Sequence, residues 1–98
     1  MDKLQYVIEL MHRDFGCSTN SADYATESIL LFRNELDRNL LPNFFDEINT
    51  EKEVLVHYYA IDEYIVYIIT DATNREWKLL GVLKDNKLIF QKAFFFCI

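Results

Sequence analysis

Residues 53–98, on which the fold prediction rests, read EVLVHYYAI-DE-YIVYIITD-ATNRE-WKLLGVL-KDNK-LIFQKAFFFCI. Four apolar runs alternate with three turn signals, and the runs are dominated by Val, Ile, Tyr, Phe and Trp, which are typical of β-strands. We therefore predict strands at about 53–61, 64–71, 77–83 and 88–97. Their short connections require antiparallel neighbours, so the predicted sheet is a meander in the order 1-2-3-4.

The residues before this stretch predict two helices. Asp2 is a suitable N-cap for a helix over about 3–15, and Gly16 stands where a left-handed C-cap is needed. A second helix is predicted over about 22–41, and Pro42 ends it because proline restricts the residue before it. Apolar residues recur at helical spacing in this segment: Ala22, Ala25, Ile29, Phe32, Leu36 and Leu40. The predicted fold class is α+β, with two N-terminal helices packed on a four-stranded antiparallel meander sheet in a single domain over residues 1–98.

The predicted sheet is unusually apolar. Its strands at 53–61, 64–71 and 88–97 carry apolar residues on both faces. Two helices can cover only one face of a four-stranded sheet. Either the sheet curls around an internal pocket, or its second face is buried by another molecule.

The sequence contains none of the familiar catalytic or metal-binding motifs. Gly16 and Gly81 are its only glycines, which excludes a phosphate-binding loop, and Gly81 inside a strand indicates a bulge or a close backbone approach. The histidines and cysteines lack zinc-ligand spacing, so we predict no metal, no cofactor and no enzyme activity. Cys17 and Cys97 are expected to be free thiols in a reducing cytosol, and the alternative is a single bridge between them. No apolar run is long enough to span a membrane and no signal peptide is visible, so we expect a cytoplasmic protein.

One cluster of side chains could serve an enzyme or a ligand site: His57 with Tyr58, Tyr59, Tyr64 and Tyr67. In a curled sheet these residues could line a pocket, orient a small ligand and transfer protons. They could equally belong to a protein-binding surface, or pack a half-exposed face with their polar ends in water. The sequence leaves all three possibilities open.

The net charge of −6 is concentrated in one part of the chain. Between residues 44 and 63 six carboxylates stand against Lys52 alone, whereas residues 64–98 are net basic. Such carboxylates can be a plain solvated surface. They can also face a basic protein, whereas nucleic acid and anionic membranes attract Lys and Arg instead. The predicted partner-binding residues are these carboxylates with three tyrosine anchors: Asp46, Glu47, Glu51, Glu53, Asp62, Glu63, Tyr58, Tyr59 and Tyr64.

In its small size, acidity, high aromatic content and lack of catalytic motifs, the chain resembles the small bacterial immunity proteins that neutralise nuclease-type toxins, including those of contact-dependent growth inhibition. The resemblance is one of type, so no residue role is taken from it. It implies a toxin domain as the basic partner, bound one to one in the cytoplasm.

Two alternative functions are open besides that of an immunity protein. One is a cone-shaped, cystatin-like domain whose Tyr/His-lined pocket holds a small apolar ligand or serves as a small enzyme. The other is a homodimer that pairs through the free sheet face or through Phe94–Phe96.

Overall fold

The computed structural model describes residues 2–43, 45 and 51–94. Within them lie one α-helix and one antiparallel sheet of five strands, whose order across the sheet is their order along the chain. Single turns of 3-10 helix lie at Ser21–Asp23, Arg33–Glu35 and Arg38–Leu40. The main elements are α1 (Lys3–Phe15), β1 (Ala25–Phe32), β2 (Glu53–Ile61), β3 (Tyr64–Asp71), β4 (Trp77–Lys84) and β5 (Lys87–Ala93).

The prediction of two helices on a four-stranded sheet is wrong. The segment predicted as the second helix, 22–41, contains strand β1 followed by two 3-10 turns. β1 pairs with β2 along its whole length, from Ala25 opposite Ala60 to Phe32 opposite Glu53. This pairing supplies hydrogen bonds to an edge of β2 that would otherwise be open, and it outweighs the helical spacing of the apolar residues.

Helix α1 covers one face of the sheet, here called the helix side. Asp2 caps its first turn by accepting a hydrogen bond from the backbone N–H of Leu4, and Gly16 ends it with a φ of 69°. Within the described ranges no helix, α1 included, has the length and apolarity needed to cross a membrane. The buried residues of α1 pack on alternate residues of the strands, and they are Val7, Ile8, Leu10 and Met11.

The opposite face of the sheet, here called the pocket side, is covered by residues 33–43 and 45, here called the covering segment. Its two 3-10 turns bring Leu36 and Leu40 against the sheet, and Phe45 is fully buried there. The apolar surplus on both faces of the sheet is therefore accommodated by two layers, one helical and one irregular. The buried partners of the covering segment on the sheet are Val54, Val56, Tyr67, Ile69, Leu79 and Leu83.

Tight turns join β2 to β3 and β4 to β5. Asp62 begins the first of them with a φ of 52°, and Asp85 and Asn86 have φ values of 51° and 63° in the second. Asp and Asn tolerate this left-handed region better than most residues, and two successive positive φ values match the twist of a hairpin. These residues therefore permit the two-residue connections that a meander needs.

Asp71 holds the longer turn between β3 and β4. Its carboxylate accepts hydrogen bonds from the hydroxyl of Thr73 and from the backbone N–H groups of Arg75 and Glu76. Burial alone would raise the pKa of Asp71, but these hydrogen bonds outweigh burial and lower it.

The last described strand, β5, ends at Ala93. Phe94 follows and packs edge-on against the rings of Trp77 and Tyr6, with centroids 5.4 Å and 6.0 Å away. The strand predicted over 88–97 is therefore described as far as Ala93, and the chain then reaches the edge of the helix-side core at Phe94. Its final residues, with Cys97 among them, lie outside the described residues.

Candidate functional site

A groove on the pocket side is the strongest candidate site in the described part of the chain. Its deeper half is a cavity of about 200 Å³ between the sheet and the covering segment. A shallower depression adjoins the cavity along β1, and Tyr58 lines both. The apolar walls of this Tyr58 groove include Leu31, Leu36, Leu40, Val56 and Tyr67, and its charged residues are Glu27, Glu35 and Asp37.

Among the described residues, every charged side chain that lines the Tyr58 groove is a carboxylate. Glu27 is exposed on β1, and Glu35 and Asp37 are exposed on the covering segment. Two of them also accept hydrogen bonds from the backbone. Glu35 accepts one from the N–H of Phe32 (2.9 Å), and Asp37 accepts one from the N–H of Asn39 (3.0 Å). Among the described residues, no ion pair joins these three carboxylates to a basic side chain. The groove therefore combines apolar walls with a negative rim.

Tyr58 and Tyr67 stand opposite one another on β2 and β3 and form the aromatic part of the groove. The hydroxyl of Tyr67 donates a hydrogen bond to the backbone carbonyl of Leu40 (2.6 Å), and Gln91 donates to the same carbonyl (2.8 Å). These bonds fix the covering segment to the sheet. Burial raises the pKa of both tyrosines, and the negative charge of Glu27 adds to the effect at Tyr58. Both phenols are therefore neutral at physiological pH, and the half-buried Tyr58 offers a ligand its ring and its hydroxyl.

The predicted His/Tyr cluster does not form one pocket, because side chains alternate between the two faces of a sheet. Tyr58 and Tyr67 lie on the pocket side, whereas His57, Tyr59 and Tyr64 lie on the helix side. Tyr59 is buried against α1, and burial raises its pKa to about 12. Tyr64 is half-buried at the C-terminal end of α1. Of the three predicted tyrosine anchors, only Tyr58 lies in the groove.

His57 is enclosed between neighbouring strands. Its Nδ1 lies 2.9 Å from the hydroxyl of Ser28 on β1, and its Nε2 lies 3.3 Å from the hydroxyl of Thr70 on β3. Burial lowers the pKa of the imidazole, and the positive charge of Lys3 lowers it further. A neutral, buried imidazole with a hydroxyl at each nitrogen acts as a polar bridge across three strands. Its position gives no support to a role in proton transfer to a ligand in the groove.

Of the predicted partner-binding carboxylates, the four that the structure describes are not brought together. Glu53 begins β2, whereas Asp62 and Glu63 form the turn at its other end, about 30 Å away for a strand of nine residues. Glu51 is exposed just before β2. These residues therefore lie at two ends of the sheet. The other two members of the predicted set, Asp46 and Glu47, lie outside the described residues.

Glu27, Glu35 and Asp37 are absent from the predicted site. A helix over 22–41 would spread these three carboxylates around its polar surface, whereas β1 and the covering segment bring them to one side of the sheet. The signal in the sequence is the run from Ile29 to Phe32, because four consecutive apolar residues fit a strand as well as a helix.

Two observations bear on chemistry other than binding. Within residues 2–43, 45 and 51–94, no group of three or more His, Cys, Asp or Glu side chains is placed to hold a metal ion. Cys17 is a free thiol buried in the helix-side core. Burial raises its pKa and so disfavours the thiolate that a reactive cysteine needs.

Comparisons with protein-family models, with curated proteins and with solved structures find no match. The function is therefore inferred from the residues of this chain.

Proposed function

We propose that the protein is a non-enzymatic, cytoplasmic binding protein that masks a basic protein partner, in the manner of an immunity protein that inhibits a nuclease-type toxin. The observation that carries this proposal is the Tyr58 groove, in which apolar walls and a half-exposed tyrosine are bordered by three carboxylates and, in the part of the chain that the structure describes, by no cation. Such a surface is complementary to a protrusion that bears Lys or Arg. The net charge of −6 would also attract a basic partner before contact.

The size of the cavity favours a partner's side chain over a whole ligand. Pockets for drug-sized ligands measure about 300–1,000 Å³, whereas this cavity measures about 200 Å³. An Arg or Lys side chain could lay its apolar stem against Leu31 and Leu36 and leave its charge beside Glu35 and Asp37. Contact of the cation with the ring of Tyr58 would add about 0.5–2 kcal/mol.

The predicted carboxylates outside the groove have a different part in this proposal. Glu51 and Glu53 at one end of β2, and Asp62 and Glu63 at the other, are exposed, and Glu63 is paired with Lys84 at 3.5 Å. Exposed charges at the margin of an interface act mainly on the rate of encounter, whereas a buried aromatic anchor acts on the rate of dissociation.

The proposal predicts separable kinetic effects of Tyr58 and of the rim. The partner is a basic protein recovered with this chain from the native host, and its nuclease activity and binding rates are measured with purified variants. Tyr58→Ala should speed dissociation about tenfold or more and weaken inhibition to match, because it removes the anchor. The double variant Glu35→Gln/Asp37→Asn should slow association and reduce its dependence on salt, because the amides keep the backbone hydrogen bonds but lose the charge.

Asp85→Asn is the matched control, since it removes one carboxylate at the β4–β5 turn, where Asn also tolerates a positive φ. Its binding rates should equal those of the wild type. The proposal fails if the recovered partner is acidic, or if the groove variants inhibit it as well as the Asp85→Asn control does.

A second candidate function is the binding of an apolar ligand smaller than the drug-sized ones, for which the apolar lining of the cavity is suited. Leu36 and Tyr67 line the cavity, and both are apolar surfaces that such a ligand could contact. Native mass spectrometry of protein purified from its host would then show an added mass. That mass should be lost in Leu36→Trp, which fills the cavity, and the absence of any added mass would count against this second function.

A further inference from the structure

β1 is an edge strand, and within the described part of the chain no other strand pairs with its outer side. It is eight residues long, pairs with β2 without a bulge, and carries neither Lys nor Pro, the residues that commonly prevent pairing at sheet edges. The opposite edge strand, β5, carries Lys87 and Lys92 and has an irregular register with β4. Three large apolar side chains of β1 are exposed: Ile29 (42%), Leu30 (53%) and Phe32 (57%).

The backbone of β1 directs hydrogen-bonding groups outward at alternate residues. The N–H of Arg33 donates to the carbonyl of Lys52 (2.7 Å), directly beyond the last residue pair of β1 and β2. Hydrogen bonds alternate along an antiparallel pair of strands. The backbone N–H and C=O groups of the odd-numbered residues of β1 therefore bond to β2, and those of the even-numbered residues point away from β2. The outward N–H of Phe32 is bonded to the carboxylate of Glu35 (2.9 Å). The residues that direct both N–H and C=O away from the sheet are Thr26, Ser28 and Leu30.

We propose that β1 pairs with β1 of a second copy of this chain. The two strands are antiparallel, and a twofold axis at Ile29 relates one copy to the other. A twofold axis perpendicular to the sheet keeps the helix sides of both copies on one side, so even-numbered residues meet even-numbered residues. Ser28 of one copy then faces Leu30 of the other, and Thr26 faces Phe32. These pairs provide about six hydrogen bonds between the strands, with the ladder ending where Glu35 occupies the N–H of Phe32.

The composition of β1 selects a second copy as the occupant. Glu27 is the only charged residue of β1. The axis at Ile29 sets each Glu27 opposite Leu31 of the other copy, so like charges do not face one another, and the two Ile29 side chains meet. A strand from a basic partner would instead set cations against the exposed Leu30. β1 thus complements itself on both faces, as an isologous interface requires.

The pairing is independent of the proposed function, but it has a geometric result for the groove. The axis leaves the two Tyr58 grooves on the same side of the joined sheet, with the Ile29 contact between them. Two binding sites would therefore face the same direction.

Sedimentation velocity of the whole chain over a range of concentrations tests the proposal. We expect a monomer–dimer equilibrium with no larger species, because an isologous interface closes on itself. Leu30→Lys should raise the dissociation constant of the dimer at least tenfold, because a lysine on an edge strand opposes pairing. Leu88→Lys is the matched control, since Leu88 is also exposed (36%) but lies on β5, and it should leave the dissociation constant unchanged.

Amide hydrogen exchange measured by NMR gives a second readout that needs no variant to fold. At dimer concentrations the amides of Ser28 and Leu30 should exchange slowly, and on dilution they should become fast, whereas the amide of Ile29 stays protected by β2. A monomer at every concentration would overturn the proposal. So would an open-ended series of oligomers, or a dimer that Leu88→Lys disrupts and Leu30→Lys does not.

Discussion

At the scale of single residues, the pair of Tyr67 and Gly81 shows how a side chain can require a glycine. The two residues face one another on β3 and β4, and a Cβ placed on Gly81 would overlap the ring of Tyr67. The ring cannot move aside freely, because its hydroxyl is bonded to the carbonyl of Leu40. The sequence predicts a bulge or a close backbone approach at Gly81, whereas the structure shows the close approach of a side chain, the ring of Tyr67.

Gly81→Ala should lower the free energy of unfolding by about 1–3 kcal/mol, the usual cost of overpacking a core. Urea denaturation would measure the loss. The same substitution in a Tyr67→Ala background should cost much less, because the overlapping ring is gone. Equal costs in the two backgrounds would show that the ring does not constrain position 81.

His57 makes stability depend on pH. Its pKa in the folded protein lies below the ordinary value of 6.5, so the unfolded chain takes up a proton more readily than the folded protein does. The contribution of His57 is therefore complete above about pH 6.5 and is lost as the pH falls through the lower folded pKa. We expect the melting temperature to fall from about pH 7 to pH 5, and to fall less in His57→Gln. A wild-type curve no steeper than that of His57→Gln would contradict this.

At the scale of elements, β2 and β3 could be predicted from the sequence and β1 could not. The predicted bounds 53–61 and 64–71 coincide with those of β2 and β3, because the charged pair Asp62-Glu63 separates their apolar runs, although it is not an ideal two-residue turn. The residues of β1 fit the spacing of a helix as well as that of a strand. What decides between them is the open edge of β2, which follows 20 residues later in the chain. Local propensity does not contain that information.

The covering segment should behave as a true core layer although it has little regular structure. Phe45 is fully buried in it, so Phe45→Ala should lower the free energy of unfolding by about 3–5 kcal/mol. Phe32→Ala, at a residue that is 57% exposed, is the control and should cost less than about 1 kcal/mol when protein is dilute. Similar small losses at both positions would mean that the covering segment packs weakly.

At the scale of the whole molecule, the candidate site was only partly predictable. Charge density along the chain selects residues 44–63, and Tyr58 among them does lie in the groove. The rim depends instead on which segments meet over the sheet, and Glu35 and Asp37 reach it only because the covering segment folds back. Alternation along β2 likewise separates Tyr58 from the adjacent Tyr59. The sequence shows how charge is distributed along the chain, but the topology of the fold determines which charged residues share a surface.

The connection from β1 to β2, residues 33–52, is the longest in the sheet, whereas β2 and β3 are joined by two residues. Each doubling of loop length adds roughly 0.6 kcal/mol to the entropic cost of closing it. β1 also has a single neighbouring strand, and its side chains are almost all exposed. We therefore expect β1 to detach readily in a local opening of the native state, while β2, β3 and β4 stay paired. A second copy bound along its outer edge would hold β1 from both sides and convert an edge strand of the sheet into an interior one.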